Sequence, residues 1–335
     1  MQDTGNPAAN TNWTERFLNN GPLASAASAH SPGKKTFFNY IMEDLGSLLI
    51  GLGIPATPAE CSNETVKKTN EFILHLHELT MPQWKQEKCG NLPGYIEDFT
   101  RLIPTEMVTD NSVDFILQWM TLVLGGRFLS TYCNGKIEQH PSSELIIIDP
   151  HHAAKHLVIT TQYTNSMSNA TMNLQKFTER VGKLDKGTVL LFAVQRPFHF
   201  ITVATECTWD GSKSTISDSL GKCEISEQLK TAVEIIANDS KMVWVRDPLP
   251  LQKANNCFFY VATCMAVRLT GTQLDRGAQV WENFTAMFRV YAYLLVHRHA
   301  RDRGVHAVTV PNVLQTWLNK NPALTESTPS STTPS

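Results

Sequence analysis

Long apolar runs are missing from this 335-residue chain, and none approaches the ~20 residues that a helix needs to cross a bilayer. An excess of one charge is missing too. Lys and Arg number 29 against 31 Asp and Glu, a net charge of −2, so there is no overall electrostatic basis for binding nucleic acid or an anionic membrane. The seven cysteines, at positions 61, 89, 133, 207, 223, 257 and 264, are scattered, odd in number and form no Cys-x-x-Cys pair. That pattern argues against a disulfide framework or a zinc site and for a reducing compartment. Met1 to Asn20 is polar with no apolar centre, unlike a secretory signal, so an intracellular protein of cytoplasm or nucleus is expected. There is no glycine-rich phosphate loop. His75-x-His77 and His151-His152 with His156 lack a third ligand at sensible spacing, so neither a metal nor an organic cofactor is expected.

What remains is the composition of a folded chain, 42% hydrophobic and 18% charged, long enough for one large core or two modest ones. Residues 1–35, rich in Asn, Ala, Ser, Gly and Pro, read as a flexible leader. Residues 36–92 read as a helical N-terminal accessory region, with Phe37, Ile41, Leu45 and Leu48 at helical spacing, then Phe72 and Leu76, and a break at Gly51–Pro58. The main domain is expected over 96–304. Its first helix carries Val113, Ile116, Leu117, Met120 and Leu124 on one stripe, with Thr109 or Asp110 to cap it. Glu144–Asp149, Thr188–Val194, His199–Thr205, Thr215–Leu220 and Met242–Val245 read as strands, and Asp210-Gly211 as a hairpin turn. Lys222–Asn238, Cys257–Leu269 and Val280–His297 read as helices. Residues 305–335 give a short helix at Pro311–Leu318 and a Ser/Thr/Pro tail. The expected fold class is α+β, a central mixed sheet flanked by helices.

Four polar residues stand out by their order. His199 lies in an apolar strand, where an imidazole is expensive unless its ring nitrogens are used. Asp218 ends the next strand, in Ser217-Asp218-Ser219-Leu220, and can accept from one of those nitrogens. Gln252 follows a proline-rich turn. Cys257 opens an apolar helix after Asn255-Asn256, where orphan N–H groups and the helix dipole favour a thiolate and can donate to an oxyanion. Taken singly, each has a plainer reading as core residue, cap or surface amide. Thiol, imidazole, carboxylate and amide in this conjunction are the parts of a cysteine acyl-transfer site.

On these residues the chain resembles the Ulp1/sentrin-specific proteases, papain-like cysteine proteases that process ubiquitin-like modifiers. That family carries His-Trp on a strand, Asp-Ser-Leu on the next, then Gln-x-Asn-x-x-Asp-Cys-Gly. Here the corresponding residues are His199-Phe200, Asp218-Ser219-Leu220 and Gln252-Lys-Ala-Asn-Asn-Cys257. Met107 to Ile116 resembles the family's Trp-Leu-Asn-Asp entry into its first helix, and Met287-Phe-Arg289 a later helix. The resemblance implies an adenain/Ulp1-type fold. It implies His199 as general base, Asp218 as its orienter, Cys257 as nucleophile and Gln252 as oxyanion donor. Met107, Phe200, Asn256 and Phe258 would face substrate. The implied reaction is cleavage of a peptide or isopeptide bond after the C-terminal Gly-Gly of a ubiquitin-like modifier such as SUMO, with that modifier or its conjugates as partner.

Departures from the family pattern are local. Met107 and Phe200 stand where the family has tunnel tryptophans, Asn256 where it has Asp, and Phe258 where it has Gly. Gln252 lies one residue nearer the cysteine than usual. Two rival readings stay open: a module that binds a ubiquitin-like protein without cutting it, and an acyltransferase using the same triad.

Overall fold

The computed structural model describes residues 37–51, 62–84, 101–103, 106–130, 138–139, 150–162, 184–196, 198–222, 225, 227–252, 255–271, 278–302, 304–305 and 307–321. In chain order the elements are helices α1 (Phe37–Gly51), α2 (Asn63–Trp84) and α3 (Asp110–Val123), then strands β1 (Arg127–Ser130) and β2 (Glu138–Gln139). Next come α4 (Pro150–Ala154), β3 (His156–Gln162), β4 (Val189–Arg196), β5 (His199–Thr208), β6 (Gly211–Asp218), α5 (Glu227–Ala237) and β7 (Val243–Pro248). Three helices close the described chain: α6 (Cys257–Thr270), α7 (Ala278–Asp302) and α8 (Val310–Lys320).

One seven-stranded sheet runs in the order β2-β1-β3-β4-β5-β6-β7. Its centre is antiparallel, β4 against β5 and β5 against β6, and the pairs β1–β3, β3–β4 and β6–β7 are parallel. This is the expected α+β architecture, a mixed sheet flanked by helices. Strand alternation sends Leu190, Phe192 and Val194 to one face and Leu191 and Ala193 to the other. The first face packs on Val233 and Ile236 of α5. The second packs on the large helical layer that includes α3, α6 and α7.

The hairpin expected at Asp210-Gly211 is present, with Thr208 paired to Gly211 and Gly211 at a φ of 121° that favours glycine. Thr109 caps α3, its hydroxyl accepting from Ser112 N at 3.3 Å. Strand β3 is a finding that the sequence reading did not contain. It lies centrally between β1 and β4, and its buried Leu157, Val158 and Ile159 feed both faces. The expected strand at 144–149 lies outside the described residues, as do the leader, the boundary at 90–94 and the C-terminal tail.

Helices α1 and α2, expected as an accessory region, share the main core. Phe37 meets Phe288 edge-on at 5.7 Å, and Phe72 meets Trp317 at 5.8 Å. Asp44 pairs with Arg298 at 2.9 Å. Trp84 is fully buried against Tyr293 and His297. Replacing Trp84 by Ala should therefore lower the stability of the whole unit by about 3–5 kcal/mol in one cooperative denaturant transition. Two separate transitions, or a loss below about 1 kcal/mol, would show that the N-terminal helices fold independently.

Candidate active site

Three elements converge on His199. Strand β5 begins at this residue, which pairs in register with Arg196 at the end of β4. Strand β6 ends at Asp218, and α6 begins at Cys257. Because β5 and β6 form a tight hairpin, the carboxylate arrives beside the imidazole at the open end of that hairpin. His199 Nε2 and Asp218 Oδ1 are 2.7 Å apart, the histidine 7% and the aspartate 1% exposed. The same Oδ1 accepts from Leu220 N at 2.7 Å, which fixes the carboxylate against its own turn.

Orienting Nε2 toward Asp218 turns Nδ1 the other way. Nδ1 is buried with no hydrogen-bond partner, and Cys257 at the start of α6 is near enough to the ring to act on its ionisation. Burial pulls the His199 pKa down, but hydrogen bonding to Asp218, the neighbouring Cys257 and the charge on both outweigh it. The net result is a pKa raised to about 9. The imidazole therefore holds its proton at neutral pH, the state suited to a thiolate partner.

Cys257 is 5% exposed at the first position of α6. The first bond into the helix is Tyr260 N to Asn256 O at 3.0 Å, so the N–H groups of Cys257 and Phe258 belong to its orphan first turn. Asn256 occupies the N-cap without using its side chain as a cap; its Oδ1 accepts from Arg289 instead. Gln252 is held beside Asp218: its N donates to Ser219 O at 3.1 Å, and its Oε1 accepts from Ser219 Oγ at 2.6 Å. With Oε1 so engaged, the amide N–H donors are the end of Gln252 available to a ligand.

Two residues expected to face substrate are placed in the core. Phe200 alternates with His199 along β5, and so turns to the helical face, where it meets Phe258 edge-on at 5.7 Å. Phe258 packs in turn on Phe259, so neither ring lines an open surface. Asn256 is also buried, whereas Met107 is partly exposed just before α3. The sequence reading missed Phe198. It is 87% exposed immediately before His199, and its φ of 59° is a left-handed conformation uncommon for a bulky residue. An aromatic in a two-residue hairpin connection next to a candidate base was the available signal. Phe198, Leu220 and Leu251 together set exposed apolar side chains around the histidine, aspartate and glutamine.

Two of the histidines set aside as metal ligands have structural work. His152 Nε2 meets Arg268 O at 3.0 Å at the far end of α6, and His156 Nδ1 meets His152 O at 2.9 Å. Among the described residues no group of three or more His, Cys, Asp or Glu could hold a metal, and no helix is long and apolar enough to cross a membrane.

No family model matches the chain, and no curated protein does. Among solved structures, it is similar to the SUMO protease Ulp1 with its catalytic cysteine oxidised to a sulfonic acid, at 12% identity and a TM-score of 0.42, covering 69% of this chain and 95% of that one. The C-terminal Ulp1 protease domain in complex with Smt3, the yeast ortholog of SUMO, aligns at 12% identity and a TM-score of 0.41, covering 72% and 98%. The Legionella pneumophila effector protein RavZ aligns at 8% identity and a TM-score of 0.36, covering 68% and 76%.

The raised His199 pKa gives a direct expectation. Its protonated form stabilises the fold fully below the ordinary imidazole value of 6.5, and that contribution is lost as pH rises through about 9. An NMR titration of the His199 ring should show a midpoint near 9 in the parent and a lower one in Asp218→Asn. A parent midpoint near 6.5, or one that Asp218→Asn leaves in place, would contradict this geometry.

Proposed function

We propose that the chain is a thiol-dependent peptidase or isopeptidase that cleaves after the C-terminal Gly-Gly of a ubiquitin-like modifier. The observation that carries this reading is the buried His199–Asp218 pair, near Cys257 at a helix N-terminus. An imidazole held by a buried carboxylate through one nitrogen, with the other nitrogen unbonded, has the geometry of a general acid–base partner rather than of a core histidine.

In the proposed reaction the Cys257 thiolate attacks the carbonyl carbon of the terminal glycine. The oxyanion that forms lies against the N–H groups at the start of α6, with the Gln252 amide as further donor. As the intermediate collapses the C–N bond breaks, and protonated His199 gives its proton to the leaving amine. The glycyl group is left as a thioester on Cys257. Neutral His199 then takes a proton from water, the hydroxide adds to the thioester carbonyl, and the C–S bond breaks. This frees the carboxylate and restores the thiolate–imidazolium pair. Asp218 keeps the ring in one orientation throughout.

The exposed Phe198, Leu220 and Leu251 support a polypeptide substrate, because an apolar rim suits an extended chain better than a sugar or a phosphate. The burial of Phe258 bears on the binding-only reading: a large residue after the nucleophile turns inward and does not fill the approach to it.

A modifier with a cysteine-reactive electrophile at its C-terminus separates the readings. A covalent adduct on Cys257 is expected, together with a loss of at least about a thousandfold in hydrolysis of modifier–fluorophore conjugates in Cys257→Ala at unchanged thermal stability. Reversible binding without an adduct would favour the binding module. Acetyl transfer from acetyl-CoA would favour the acyltransferase. Undiminished hydrolysis by Cys257→Ala would remove the thiol mechanism altogether.

A further inference from the structure

Arg289 is 1% exposed in the middle of α7, and every one of its five N–H donors is used. Nε donates to Leu102 O at 3.0 Å. Nη1 donates to Asn255 O at 2.8 Å and Asn256 Oδ1 at 3.2 Å. Nη2 donates to Arg101 O at 3.1 Å and to Glu106 O. Its Cζ also lies 5.7 Å from the centre of the Phe259 ring. The guanidinium thus grips the two residues before Cys257 and the ring two residues after it. In the same grasp it holds Arg101, Leu102 and Glu106, ahead of Met107 and α3.

All five acceptors are neutral, four carbonyls and one amide oxygen. A buried cation without a carboxylate in contact is costly to keep unless an anion forms near it. Cys257, the thiolate of the proposed reaction, directly follows the two residues that Arg289 holds. Burial pulls the Arg289 pKa down to about 10, and the opposing influences are Cys257 first and then the Glu106 carboxylate. Arg289 therefore remains charged at neutral pH.

We propose that Arg289 is a positioning residue for the nucleophile: it fixes the Asn255–Asn256 backbone ahead of Cys257 and supplies the buried positive charge that favours its thiolate. The inference rests on the acyl-transfer reading given above and deepens it. It also explains why Asn256 leaves its capping role unfilled, since its Oδ1 is committed to the guanidinium.

Among the described residues, other charged groups lie on the elements around α6, including Glu282 of α7, which accepts from Tyr260 Oη at 2.8 Å. From β5 comes His199, with Asp218 of β6 behind it, and from the end of β4 comes Arg196. The Glu106 carboxylate lies before α3. Asp114 within α3 is bonded by Thr160, and His152 from α4 and Arg268 lie at the opposite end of α6. Arg289 is the cation among them that contacts the residues flanking the sulfur.

The test needs no substrate. Iodoacetamide labelling of Cys257 is followed against pH by mass spectrometry of its peptide in the parent, Arg289→Met, Arg289→Lys and His199→Ala, with thermal unfolding recorded for each. Arg289→Met should move the inflection upward by about one pH unit or more, because a like-sized apolar group replaces the charge. Arg289→Lys, which keeps the charge and loses the fork, should move it less than half as far while losing comparable stability. Equal shifts in the two variants, or no shift in either, would overturn the inference. If His199→Ala still moves the inflection in that case, the acyl-transfer reading survives; if His199→Ala leaves it in place as well, both fall. Should Arg289→Met fail to unfold cooperatively, Arg289→Gln takes its place as the uncharged variant, and the same comparison with Arg289→Lys decides.

Discussion

A hydrogen bond out of reach of solvent, His199 Nε2 to Asp218 Oδ1, fixes the geometry on which the site depends. An imidazole and a carboxylate in an apolar interior are each unfavourable alone and tolerable as a pair. Their pairing requires the open end of the β5–β6 hairpin to hold its register, because a one-residue slip would send the ring to the other face of the sheet. It also decides which nitrogen is left over, and so where a thiol must sit to be useful. Leu220 N and the Ser219–Gln252 contacts then tie the end of β6 to the segment leading into α6.

The second constraint is the environment of α6. Eleven of its fourteen residues are buried, so it is enclosed between the sheet and the helical layer rather than lying on the surface. A helix enclosed in this way has little freedom to rotate or slide, and Cys257 at its start inherits that rigidity. Phe258 and Phe259 belong to this packing: one meets Phe200 of the sheet, the other Phe288 of α7. Arg289 adds a polar clamp within the same apolar layer. The start of α6 at Cys257 is thus held from the sheet side by aromatic contacts and from the helix side by a charged fork.

Much of this was legible in the sequence, for reasons that can be stated. The hairpin was readable because Asp210-Gly211 separates two β-rich runs, and α3 because its stripe keeps helical period behind Thr109. The conjunction of His199, Asp218 and Cys257 was readable because such groups are expensive in apolar segments; the structure pairs His199 with Asp218 and places Cys257 at the start of the helix that packs on β5. Strand β3 was not readable. It follows the short helix α4 at once, and its parallel partners β1 and β4 are set by tertiary packing that no local pattern announces. Phe200 and Phe258 were assigned to substrate by position alone, whereas strand alternation and the enclosure of α6 turn them inward. Arg289 carried one signal that went unused: an arginine between Phe288 and Val290, in a helix stripe otherwise apolar, needs buried acceptors.

The central proposal is that Cys257 reacts because His199, held by Asp218, stands near it. The rate at which a thiol alkylating reagent modifies Cys257 in the folded protein measures this most directly, read by mass spectrometry of the Cys257 peptide so that the other cysteines do not contribute. Replacing His199 by Ala should slow that modification at least about tenfold with the fold intact. A rate unchanged by loss of the imidazole would contradict the proposal.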